Sequence, residues 1–232
     1  MQRHSAWTRK GKRMSRTPPV RKPQIVERNR QDRRDLIVKK SSELFARYGY
    51  TATTTDMISE ATGLNKGTIY YYYPSKADIL YDICYPSASG AVEILEAART
   101  DDPVENLETV VRGLMKWFQS RNEAINVHFH EEYILEQVLN PQQFENIRKI
   151  QRIFMKYFYQ LISRGIAEGV FVPVDASVMA KLIVGMIVGA RRWRDIDREA
   201  DRVGQAILEL ISHGMVSGER RSIKSGNNNS VG

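Results

Sequence analysis

Cysteine is almost absent: Cys84 stands alone in 232 residues. Neither an intrachain disulfide framework nor a cysteine-rich zinc site can be built from one thiol, which fits a reducing cytoplasm and an ordinary buried small residue. Long hydrophobic runs are missing as well. The longest, Leu182 to Ala190, is far below the roughly 20 apolar residues that span a bilayer, and the N-terminus lacks a hydrophobic signal core; no membrane partner is expected. No segment alternates apolar and polar residues as a half-buried strand does, and there is no internal repeat. The Walker loop, the Rossmann glycine fingerprint and the G-x-S-x-G elbow do not occur, so the chain reads as a non-enzyme without a cofactor. Histidine is scarce, at four. His128, His130, Glu131 and Glu132 are the nearest approach to a ligand set, but the two histidines lie two apart on a predicted helix and point in different directions, so no metal site is assigned.

Two things are present instead. The 42% apolar content and the length suffice for a small domain plus one larger helical domain. The net charge of +8 is concentrated: residues 1–28 carry nine Lys/Arg against Glu27 alone, and the remainder carries 26 basic and 26 acidic residues. A basic arm broken by Pro18, Pro19 and Pro23 is expected to be disordered in isolation. Such an arm either lies along the phosphates or in the minor groove of a nucleic acid, if a neighbouring element binds one, or is a solvated tail. The tail over 217–232, with Gly226-Asn227-Asn228-Asn229-Ser230, is also expected to be disordered.

The most informative stretch is Thr53 to Leu80. A first helix is expected to start at Thr54 or Thr55, whose hydroxyls can cap it, and to bury Ile58 and Ala61; Gly63 then turns the chain through positive φ and Leu64 plugs the corner. A second helix runs from about Lys66 to Tyr72, with Ile69 and Tyr73 facing the first. Upstream, Leu36, Ile37, Lys40, Leu44 and Phe45 form the stripe of a supporting helix over 30–48, stopped at Gly49. Ser75 with Asp78 has the spacing of a capping box for the helix that follows.

These residues carry a resemblance. Thr53-Thr54, Ile58-Ser59, Gly63-Leu64-Asn65-Lys66-Gly67-Thr68-Ile69-Tyr70, Tyr72-Tyr73, Ser75-Lys76 and Ile79-Leu80 resemble the helix-turn-helix of the TetR family of one-component repressors. Ser59, Ala61-Thr62, Asn65 and Tyr73 depart from its usual residues without changing the backbone demands. The resemblance implies a double-stranded DNA operator as partner. A recognition helix reads base edges with its first turns, which gives Lys66 and Thr68 to the bases and Gly67 to close backbone approach. Tyr70, Tyr71 and Tyr72 are assigned to phosphates or thymine methyls, Thr54 and Thr55 to a phosphate at a helix N-terminus, and Lys76 to the DNA backbone.

After Leu80 the pattern is helical almost to the end, with a kink or break expected at Pro86, after Tyr85, and helices near 103–120, 122–139, 141–168, 175–194 and 199–215. The expected fold is all-α: an arm over 1–28, an N-terminal three-helix helix-turn-helix domain over 29–75, a C-terminal helical ligand-binding and dimerisation domain over 76–216, and a tail over 217–232. The segment 178–190 is apolar nearly all round and must be covered on both sides. Leu182, Gly185, Met186 and Gly189 on it, with Val203, Ile207, Leu210 and Ile211 on the last helix, resemble the helices that form the TetR-type homodimer interface, and a twofold dimer matches a palindromic operator. The resemblance further implies a small-molecule effector, for which Met115, Trp117, Phe118, Phe129, Tyr133, Phe154 and Phe158 are candidate pocket residues. A sparser likeness, through Ile147-Arg148, Gly165, Glu168 to Pro173 and Arg192-Trp193, is to the subgroup that senses acyl-CoA or sterol-CoA thioesters, with Arg191, Arg192 and Arg194 around Trp193 suited to a CoA phosphate.

The expected function is therefore a ligand-responsive repressor in the bacterial cytoplasm, on the nucleoid, released from DNA by a hydrophobic effector. The alternative is an architectural DNA-binding protein that uses its basic arm without an effector.

Overall fold

The computed structural model describes residues 23–120, 123–193 and 196–215; residues 1–22 of the basic arm, the tail 217–232 and Arg194 lie outside them. Every regular element among the described residues is a helix. The supporting helix α1, Pro23–Tyr48, starts earlier than expected: residues 23–28, assigned to the arm, are its first turns. A proline at the first helical position loses no bond, since that N–H would be unpaired anyway. Ile37 and Phe45 are buried and Leu36, Lys40 and Leu44 half-buried; the Lys40 ammonium reaches Glu43 at 2.7 Å. Gly49, at φ +80°, ends the helix.

Helix α2, Thr55–Thr62, has Thr54 as its cap, with the side-chain oxygen accepting from Met57 N, and ends at Gly63 at φ +67°. Ile58 is buried as expected, whereas Ala61 is exposed. Helix α3, Lys66–Tyr72, is capped by the Asn65 side chain. Ser75 and Asp78 form the capping box of α4, Lys76–Ala97. Pro86 does not break α4. An interior proline costs a helix about 3 kcal/mol, but α4 is buried on both sides of it, through Ile79, Leu80 and Ile83 before and Ala88, Ala91 and Leu95 after. Each large aliphatic side chain contributes roughly 1.5–3 kcal/mol on burial, which outweighs the missing backbone bond.

The larger part of the chain follows as α5 (Pro103–Phe118), α6 (Glu123–Glu131), a 3-10 turn (Glu132–Ile134), α7 (Leu135–Val138), α8 (Pro141–Ala167), α9 (Ala176–Arg191) and α10 (Ile196–Met215). The single helix expected over 122–139 is thus three pieces. Asp102, Asn140 and Asp175 cap α5, α8 and α9.

Two apolar clusters hold these elements. One joins α1, α2, α3 and the first half of α4, and extends to Val127, Leu135, Leu139 and Ile147. The other fills the space between the second half of α4 and α5, α8, α9 and α10. The boundary expected at residues 75 and 76 therefore crosses a continuous core: α1, against which α2 packs, is itself packed onto α4 and α6. Among the described residues no helix is long and apolar enough to cross a membrane, and no group of three or more His, Cys, Asp or Glu is placed to hold a metal ion.

Candidate DNA interface and effector cavity

The four consecutive tyrosines divide by helical phase. Tyr73 is buried, Tyr72 is half-buried, and Tyr70 and Tyr71 stand out of the surface, Tyr71 at 74% exposure. Lys66 and Gly67 are exposed, as is Thr54. Thr68 is half-buried, its hydroxyl donating to Asn65 Oδ1 at 3.0 Å, and the Tyr70 hydroxyl lies 3.4 Å from Thr55 Oγ1. Lys66 Nζ sits 2.7 Å from Asp56 in the first turn of α2, and that bond raises its pKa. The surface as a whole offers hydroxyls, one ammonium and bare backbone at the start of a helix, which is the inventory that base edges and phosphates require.

Lys76, expected on the DNA backbone, is turned inward. Its ammonium donates to Tyr50 O and to Thr53 O, both at 2.6 Å, and lies 4.2 Å from the Tyr50 ring centroid. Burial lowers its pKa, and the nearby Glu131 carboxylate opposes that shift. Four of the side chains that depart from the helix-turn-helix pattern also carry bonds. Thr62 Oγ1 donates to Ile58 O at 2.7 Å. Ser59 Oγ donates to Leu64 O at 2.6 Å, holding the turn; Asn65 accepts from Thr68 N at 2.8 Å; the Tyr73 hydroxyl donates to Asp82 at 2.7 Å. Asp82 also pairs with Arg34 at 2.5 Å, so α1, the end of α3 and α4 meet on one carboxylate, and burial with that bond raises the Tyr73 pKa.

Between α4, α5, α6, α8 and α9 lies a cavity of about 420 Å³, within the size range of small-molecule sites. Trp117, Phe118, Phe129 and Phe154 line it, together with His128 and, on α9, Gly185. Phe118 and Phe129 pack edge on, at 5.6 Å and 90°. The other candidates fall elsewhere. Met115 is buried beneath α10, where a Cβ on Gly204 would meet its Cγ at 2.8 Å. Phe158 lies fully buried behind Phe154. Tyr133 and Trp193 are 74% and 58% exposed on the outer surface. Arg192 holds Glu132 at 3.2 Å, and Glu132 accepts from Gln151 Nε2 at 3.2 Å; Glu132 and Gln151 with Lys181 make a polar rim to an apolar space. Arg191 is buried, its guanidinium 5.7 Å from the Phe118 ring. His128 is 6% exposed, its Nδ1 has no protein partner, and burial depresses its pKa to about 4. It is neutral at pH 7.

The expected interface residues also separate. Val203, Ile207 and Ile211 are buried within the subunit's own core, so α10 turns its apolar stripe inward. Leu210 at 66% and Leu182 at 55% are exposed, as is Val178 on α9. Met186 and Gly189 are half-buried and Gly185 exposed, with open space where a Cβ on either glycine would stand.

Two family models match this chain. Bacterial regulatory proteins of the tetR family match over residues 37–83, which span the helix-turn-helix, and the tetracyclin repressor-like C-terminal domain matches over residues 100–215, half of the chain. The chain belongs to the TetR family. It is a DNA-binding transcriptional regulator of that family. Among TetR-type relatives, it is 27% identical to the uncharacterised regulator YhgD of Bacillus subtilis over 161 residues, which cover 67% of this chain and 83% of YhgD. It is 25% identical over 191 residues to the transcriptional repressor KstR2 of Mycobacterium tuberculosis, covering 79% of this chain and 92% of that protein. The KstR2 structure superposes with a TM-score of 0.70 at 21% identity, covering 80% and 95% of the two chains. AibR, solved with isovaleryl coenzyme A and operator DNA, superposes with a TM-score of 0.69 at 19% identity over 77% and 97%. At these identities the structural likeness speaks for the TetR fold alone.

Sequence reasoning missed the polar members of the TetR effector-domain cavity. It treats His128 only as a possible metal ligand, although Ile125, His128 and Glu132 recur on one face of the helical pattern. It also missed that Glu131 is buried against Tyr50 N at 2.8 Å. No local pattern marks that contact, because 81 residues separate the partners.

Proposed function

We propose that this TetR-type regulator is a repressor that binds a palindromic operator as a homodimer in the bacterial cytoplasm, on the nucleoid, and is released by a small hydrophobic effector. The observation that carries the effector is the cavity itself: about 420 Å³, walled by Trp117, Phe118, Phe129 and Phe154 and rimmed by Glu132, Gln151 and Lys181. An apolar body buried there with a polar end at the rim suits an acyl thioester, whose CoA part would extend past Lys181 and Arg192. That AibR was solved with isovaleryl coenzyme A supports the class. The exposed Val178 and Leu182 on α9 and Leu210 on α10, with the open space over Gly189, support a second copy of the chain on this face. The DNA contacts proposed are Lys66 and Thr68 on base edges, Gly67 as the close-approach point, Tyr70, Tyr71 and Tyr72 on phosphates or thymine methyls, and Thr54 and Thr55 on a phosphate. A ligand that favours the non-binding arrangement lowers operator affinity by no more than its differential affinity for the two states.

One experiment tests the whole reading. The purified protein, sized by light scattering, is titrated onto the intergenic DNA beside its own gene with free fatty acids, acyl-CoAs or aromatic acids. A dimer that prefers this DNA over random sequence by roughly 4–10 kcal/mol and is released by CoA thioesters is the expected result. Tight specific binding untouched by the panel would overturn the ligand class, and the same affinity for every sequence would favour the architectural alternative.

A further inference from the structure

Tyr50 stands at the corner between α1 and α2, and its backbone is held from two sides. Its N–H donates to Glu131 Oε1 on α6 at 2.8 Å. Its carbonyl accepts from Lys76 Nζ at 2.6 Å, and the same ammonium reaches Thr53 O, next to the residue that caps α2. Glu131 is 7% exposed. An isolated carboxylate in that position would be costly, but here it has an N–H donor and the Lys76 charge on the far side of one residue. Gly49 adjoins the contact, with 3.6 Å from Glu131 Oε1 to the place of a Cβ. The recognition helix α3 is built on this corner through α2.

The other end of the connection is the cavity. On α6, a helix of nine residues, His128 and Phe129 line the cavity wall, and Glu132 follows Glu131 at the rim. The cavity wall and the grip on Tyr50 therefore share a single helical turn, which moves as a unit because its backbone bonds are internal. We infer that Glu131 is a positioning residue for DNA binding: it ties the reading helices to α6, so that filling the cavity displaces the Tyr50 corner and with it α3. Lys76 completes the grip from α4. The inference rests on reading the cavity as the effector site.

The test is a double-mutant cycle read on DNA affinity, using the full chain and a duplex that the wild-type protein enriches from a random-sequence pool. Ile150 lines the cavity from α8; Ile150→Trp fills it there, remote from the reading helices, and stands in for a ligand. Glu131→Leu removes the acceptor; Glu131→Gln keeps one. Glu131→Leu is expected to weaken duplex binding roughly tenfold, the equivalent of one buried hydrogen bond, and to speed amide exchange at Tyr50, while Glu131→Gln stays within about threefold of wild type on the same scale. Ile150→Trp should shift wild-type affinity at least about fivefold, but less than about twofold in the Glu131→Leu background, the mark of coupling. Equal shifts in both backgrounds, or a Glu131→Leu variant with unchanged affinity, would overturn the inference. No shift from Ile150→Trp in the wild type would overturn the cavity reading, and the inference with it. Thermal melts accompany each variant. If Glu131→Leu does not fold, Glu131→Ser, too short to reach Tyr50, enters the same cycle with the same expected outcomes.

Discussion

At the scale of residues, two lysines ten positions apart have opposite fates. Lys66 is exposed and paired with Asp56, an interaction that water screens and DNA can replace. Lys76 gives its ammonium to two backbone carbonyls. Lys66→Ala should relax preference at one base position by roughly tenfold and leave the others unchanged, which selection from a random pool would measure; uniform weakening across sequences would remove Lys66 from base reading. Lys76→Met leaves two inward carbonyls unpaired and should cost about 1–3 kcal/mol of stability in urea unfolding. A Lys76 variant of wild-type stability would contradict this role. The expectation that Lys76 grips DNA rests on its place at a helix start, and that place faces the protein's own Tyr50 corner.

At the scale of elements, glycines mark where helices must approach and where they are free to. Gly165 lies under Phe171: a Cβ there would stand 2.1 Å from the ring, and Phe171 N also donates to Gly165 O at 2.9 Å. Gly165→Ala should therefore lower stability by about 1–3 kcal/mol or more through overpacking at the end of α8, as a urea melt would measure. Gly189, on α9 and outside the cavity lining, faces open space in the subunit. Gly189→Ala should leave subunit stability equal or higher, since Ala suits a helix interior by roughly 0.5–1 kcal/mol, and should weaken dimerisation by light scattering if a second α9 packs there. Unchanged dimers would move the interface elsewhere on the chain. Helix ends were legible in the sequence because Thr54, Asn65, Ser75, Asp102, Asn140 and Asp175 are cap types acting on their own neighbours. The unbroken passage of α4 through Pro86 was not, because it depends on what buries each half.

At the scale of the molecule, acid and salt provide the readouts. His128 holds a pKa near 4 by burial, below the ordinary value near 6.5, so the unfolded chain binds the extra proton first as pH falls. Its share of stability is complete above about pH 6.5 and declines progressively down to about pH 4, by at most ~3 kcal/mol. His128→Leu should flatten that part of the stability profile, and an identical profile would clear His128 as its source. Deleting residues 1–22 removes eight Lys/Arg. If the arm lies on phosphates, the slope of log affinity against log salt should fall by about 0.9 for each phosphate that the arm neutralises; an unchanged slope takes the arm out of the interface. The sequence by itself determined the all-helical class, the helix-turn-helix with its cap and turn residues, and the charge bias, because each rests on interactions within a few residues or on composition. Only the tertiary structure decided that Lys76 points inward, that Val203, Ile207 and Ile211 serve the subunit's own core, which aromatic residues face the cavity, and that Glu131 holds Tyr50. Those outcomes depend on which helix packs against which, a choice made by residues far apart in the chain and left open by the periodicity of any single helix.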